Sequence, residues 1–99
     1  MLTPAPHIHW GRCYGGGIAV LDLKRGTWEM FHGNEALIWD AITLRGSTDG
    51  LAEEIAIPAG YDVAATRAAI ASYLEGLRGM GLLVSPEAPR PRRRWRWFR

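Results

Sequence analysis

Three strand-like runs follow one another near the N-terminus with little chain between them, and that spacing constrains the fold more than any other feature. Residues 7–12 (HIHWGR), 18–23 (IAVLDL) and 27–31 (TWEMF) are rich in the β-branched and aromatic residues that favour extended chain. The flexible turn Tyr14-Gly15-Gly16-Gly17 joins the first two, and Lys24-Arg25-Gly26 joins the second to the third, its glycine free to take positive φ. Parallel neighbours would need a crossover of about a dozen residues or more. Links this short therefore predict an antiparallel meander with the third strand at one edge.

From Asn34 the apolar period lengthens from two to about three and a half. Asn34 is the expected N-cap, and Glu35 stands in the first turn, where the helix dipole favours a carboxylate. Leu37, Ile38, Ala41 and Ile42 form a stripe closed by Arg45-Gly46. A second helix is expected from Ser47 or Thr48, burying Leu51, Ala52 and Ile55 until Pro58-Ala59-Gly60 breaks it. A third should cover residues 62–78 with Val63, Ile70, Leu74 and Leu77 on one buried face, followed by Leu82-Leu83-Val84. Three strands and then three helices predict an α+β domain of winged helix-turn-helix type. Residues 7–85 would form this domain. Residues 1–6, with two prolines, are expected as a loose lead-in, and residues 86–99 as a disordered Arg/Trp-rich tail.

Ninety-nine residues leave room for one domain, and an apolar share of 47% is enough for a modest core. The net charge of +2 hides a division. Residues 1–89 hold six basic and all ten acidic groups, whereas residues 90–99 hold six arginines and no acid. The body is thus mildly acidic, which argues against a nucleic-acid-binding surface on it. One cysteine forms no internal disulfide, and neither a secretory signal pattern nor an apolar run near membrane-spanning length is visible. A soluble, cytoplasmic protein is expected, with no membrane partner.

Few residues suggest chemistry. His7, His9, Cys13 and His32 could be gathered into a zinc site only on paper, since no ligand spacing recurs, and no nucleophile, base and orienting acid form a motif. The glycines of YGGGIAVL precede a strand rather than open a helix, so they are not a phosphate loop. No metal, cofactor or catalytic activity is expected.

The better signal is on the third strand. Alternation places Thr27, Glu29 and Phe31 on one side and Trp28 and Met30 on the other. Phe31 adjoins the first helix and should point inward. Trp28 and Met30 then face outward, unless the third helix covers them and they are core. An edge strand with unpaired backbone groups next to an apolar groove is a template for an extended peptide.

In their order and spacing, YGGGIAVLDLKRGTWEMF, NEALIWDAI, LAEEI and YLEGLRGMGLL resemble the PqqD-like family, the recognition elements that bind leader peptides of ribosomally made natural products. More narrowly, they are similar to the stand-alone recognition protein of split lasso-peptide systems. The resemblance spans roughly residues 7–84 and implies the same three-strand, three-helix fold. It also implies a non-catalytic adaptor whose partners are a precursor leader, a separate transglutaminase-like leader peptidase and a macrolactam-forming cyclase. The leader would pair with the strand Thr27, Trp28, Glu29, Met30, Phe31 and lean on the third helix around Arg67, Ala71, Leu74, Glu75 and Arg78. Trp28 and Met30 are expected as one wall of the groove and Ala71 and Leu74 as the other, with Arg67, Glu75 and Arg78 as a charged rim. The family often carries an aspartate four residues before the aromatic of this helix. Ala69 stands there, four before Tyr73, leaving Glu75 or Asp62 to supply a polar contact. The competing expectation is a winged-helix DNA-binding protein, which needs a basic helical face. The second helix instead carries Asp49, Glu53 and Glu54.

Overall fold

The computed structural model describes residues 2–85. The chain runs β1 (Thr3–Pro4), β2 (Ile8–Arg12), β3 (Ile18–Asp22), β4 (Thr27–Phe31), α1 (Gly33–Asp40), α2 (Leu51–Ala59), α3 (Val63–Gly79) and β5 (Leu83–Val84). Strands β2, β3 and β4 form the expected antiparallel meander in that spatial order, and three helices follow it. The tail expected over residues 86–99 lies outside the described residues.

Local chemistry explains the links. The Asp22 carboxylate is buried beneath the β3–β4 turn and accepts the backbone N–H groups of Lys24 and Arg25, each at 3.0 Å. Gly26 closes the turn at φ +70°, donating its N–H to the Asp22 carbonyl. At the far end of the sheet Arg12 grips Asp40 through two bonds of 2.8 and 2.9 Å, fixing β2 to the end of α1.

Three expectations change. Residues 3–5 of the expected loose lead-in are tied down: β1 pairs antiparallel with β5, Ala5 donates its N–H to the Leu82 carbonyl, and Ala5 is buried. A two-residue pairing made across the whole chain leaves no periodic signature in sequence. The N-terminus of α1 falls at His32 rather than Asn34, with no side-chain cap, and Asn34 becomes a first-turn residue. Helix α2 begins at Leu51, not at Ser47 or Thr48. Ser47 Oγ accepts the Asp49 N–H, and Gly50 is left-handed at φ +82°, which holds the chain out of the helix until then. The ends at Gly46 and Gly60 are as read, both glycines being left-handed, although Pro58 itself is housed in the last turn of α2. Between Asp40 and Gly46 the first helix continues as a wider, π-helical turn, Ala41–Arg45.

The core lies between the helices and one face of the sheet. Trp39 is completely buried at its centre and meets Trp10 and Phe31 edge-on, with ring centroids 5.6 and 5.5 Å apart. Ile18, Val20, Ile42, Leu51, Ile70, Leu77 and Leu83 complete it. Among the described residues no helix is long and apolar enough to cross a membrane.

Candidate functional site

Register decides which strand residues face the helices. Ile18 pairs with Phe31 and Val20 with Glu29, so Phe31, Glu29 and Thr27 lie on the core side, whereas Leu21 pairs with Trp28 and Ala19 with Met30 on the opposite side. Trp28 is 63% exposed and its neighbour Leu21 41%. Of the two orientations open to Trp28 and Met30, the structure takes the outward one. Among the described residues β4 has no strand beyond it, so the outer row of its N–H and C=O groups lacks a ladder partner.

Beside that edge runs an apolar furrow. Asn34, Glu35 and Ile38 of α1, Ile55 of α2, and Thr66, Ala69, Ile70 and Tyr73 of α3 enclose a hollow of about 220 Å³. It continues through shared residues into a second hollow of about 420 Å³ reaching Tyr61, Asp62 and Ala65. Tyr73 links the furrow to the strand, since its ring stands 6.3 Å from Phe31 in an edge-on contact. Thr66, Ala69, Ile70 and Tyr73 follow the i, i+3, i+4, i+7 spacing of one helical stripe. Ala69 leaves the middle of this stripe low.

The α3 residues expected as the wall of the groove face a different hollow. At about 100° per residue, Ala71 is about 200° around the helix from Ala69. Arg67, Ala71 and Leu74 line a different hollow, with Thr48, Asp49, Gly50 and Ala52. Trp28 and Met30 on the outer sheet face therefore do not oppose Ala71 and Leu74; the sheet itself lies between Trp28 and the helices. The expected charged rim is occupied internally: Arg67 binds Glu53 at 2.7 Å, and Arg78 binds Glu75 at 3.1 Å. Of the two residues considered for the missing aspartate's role, Glu75 is held by that pair. Asp62 borders the furrow while capping α3, accepting the Ala65 N–H at 2.9 Å. Asn34, Glu35, Thr66, Ala69 and Tyr73, which line the furrow, are not among the residues expected for the site. The stripe on α3 was the signal that could have found them.

The furrow carries negative charge at its strand end. Burial, then the carboxylates of Glu35 and Glu29, push the Tyr73 phenol up to about 12. The folded state thus keeps this proton to higher pH than the unfolded chain, whose phenol titrates at 10.0, so stability is full below pH 10 and falls as pH rises toward about 12. Partial exposure of the ring keeps the effect modest. Urea midpoints measured across that window should decline less in Tyr73→Phe than in the parent; equal declines would place the loss in other groups.

Among the described residues no group of three or more histidine, cysteine or acidic side chains is arranged to hold a metal. The site defined here is an open strand edge flanked by an apolar, acid-rimmed furrow. Neither a protein-family model, nor a curated protein, nor a solved structure matches the chain.

Proposed function

We propose that this protein is a non-catalytic recognition element for the leader segment of a ribosomally made peptide precursor, of the PqqD-like kind serving lasso-peptide maturation. The leader adds to β4 as a fourth strand, and its inward side chains occupy the furrow between the start of α1 and α3. The protein then presents the precursor to a separate leader peptidase, with the macrolactam cyclase as a further partner, by raising local substrate concentration.

The observation that carries this reading is the juxtaposition of the unpaired β4 edge with the Thr66, Ala69, Tyr73 furrow. Magnitudes show why both are needed. Burying one aromatic side chain removes about 150–250 Å² from water, or roughly 4–6 kcal/mol, while ordering a disordered leader costs about 2–5 kcal/mol. A single anchor leaves little surplus, so ladder hydrogen bonds must add to it. The DNA-binding alternative finds less support: Arg45, Arg67 and Arg78 are each engaged by a glutamate, leaving no bare basic helical face among the described residues.

The test is hydrogen exchange in the full chain, with and without a synthetic leader peptide of a lasso-type precursor. Slower exchange of amides in Thr27–Phe31 is expected. Protection confined to β2 or α2 would refute strand addition at β4. Because alternate leader side chains fall on the outer face, Trp28→Ala should weaken binding by about tenfold, or about 1.4 kcal/mol, with an unchanged urea midpoint.

A further inference from the structure

The face of the sheet turned away from the helices has a low floor at one end. Gly11 lies opposite Ala19 there, and Ala19 opposite Met30. One row further on, Cys13 donates its N–H to the Gly17 carbonyl at 2.8 Å, continuing the β2–β3 pairing past Arg12 and Ile18. His32 follows Phe31 with extended backbone. Alternation beyond the inward Arg12 and Phe31 turns Cys13 and His32 outward, onto the face that carries Met30.

Gly17 shows that these side chains gather. Its φ of −75° and ψ of 163° suit any residue, so space and not backbone conformation keeps the position small. A Cβ on Gly17 would lie 3.0 Å from Cε1 and 3.1 Å from Nδ1 of His32, and 3.2 Å from Sδ of Met30. A ring nitrogen and a thioether sulfur thus hang over the same point of the middle strand. Directly opposed Cβ positions of antiparallel strands are about 4.5–5.5 Å apart, so rotation about one bond carries the Cys13 sulfur toward that point as well. Cys13 and His32 are exposed and Met30 is half-buried, which leaves the donors within reach of solvent.

Thiolate, thioether and imidazole make a soft donor set, the kind that selects Cu(I). It contains none of the oxygen ligands that Ca²⁺ and Mg²⁺ require, and structural zinc takes four thiolate, imidazole or carboxylate ligands rather than a thioether. The other histidines stand apart: His7 lies 3.7 Å from Asp22, and His9 pairs with Leu21 two rows away. We propose that Cys13 Sγ, Met30 Sδ and His32 Nδ1 bind one Cu(I) ion over Gly17, on the outer face of the sheet. The ion joins the ends of β2 and β4 across β3. This site is separate from the furrow and stands whether or not the strand edge receives a leader.

The probe is Cu(I), supplied as its acetonitrile complex to the full chain without oxygen and in competition with bicinchoninate. One equivalent per chain should be retained, and copper K-edge absorption should show both sulfur and nitrogen neighbours. Cys13→Ser, Met30→Leu and His32→Gln should each weaken binding by at least about tenfold. Gly17→Ala keeps every donor but puts a methyl where they meet, and with the fold intact by circular dichroism it should weaken binding comparably. His7→Gln/His9→Gln should bind as the parent does. Unchanged affinity in Met30→Leu and His32→Gln would overturn the proposal by leaving a bare thiol, and unchanged affinity in Gly17→Ala would overturn the convergence over that residue. One copper per two chains would overturn it by assigning the ion to a contact between copies, and loss in His7→Gln/His9→Gln by placing the ion elsewhere.

Discussion

Ala69→Trp is expected to weaken binding of a labelled leader peptide by at least about a hundredfold, a loss of about 2.7 kcal/mol, without altering the urea midpoint. Ala69 is exposed and lines both parts of the furrow, so an indole there fills the space that the leader's anchor needs and displaces nothing from the core. Ala71→Trp is the matched control. It adds the same bulk to the same helix on the flank that borders residues 48–50 and the first turn of α2, and affinity there should stay within about threefold. Fluorescence titration of both variants separates the two faces of α3. If Ala71→Trp were the damaging change, the leader would lie on the flank first expected from the sequence.

The largest effect on stability should come from Trp39. Trp39→Ala removes the side chain that joins β2 through Trp10 and β4 through Phe31 to α1, and truncations of this kind cost about 3–5 kcal/mol. A small domain has roughly 5–15 kcal/mol in all, so the variant should unfold at a far lower urea concentration. Trp39→Phe is a sharper probe. The indole Nε1 is buried without a hydrogen-bond partner among the described residues, a penalty of about 1–3 kcal/mol that phenylalanine does not carry. Relief of that penalty should offset part of the cavity left behind. Equal losses for Trp39→Phe and Trp39→Ala would show that the shape of the indole, and not its stranded N–H, dominates the site.

The acid-rimmed furrow bears on how a leader would be selected. On the proposed reading, the carboxylates of Glu29 and Glu35 near Tyr73 would favour a captured segment with a basic side chain next to its apolar anchor.

Much of this architecture was legible in local pattern, and the site was legible only in part. Links too short for a crossover dictate an antiparallel meander, period two dictates that Trp28 and Met30 share a face, and glycines at positions 46 and 60 dictate where helices stop, because these are constraints between residues near one another in the chain. The tertiary structure alone decided which sheet face the helices cover, which flank of α3 adjoins β4, and that residues 3–4 pair with residues 83–84. Each depends on contacts between distant segments: Phe31 packs edge-on against Trp39 of α1 and Tyr73 of α3. Periodicity specifies that a helix has a buried stripe but not which neighbour lies along each side of it, and here that choice sets which flank of α3 adjoins the open strand.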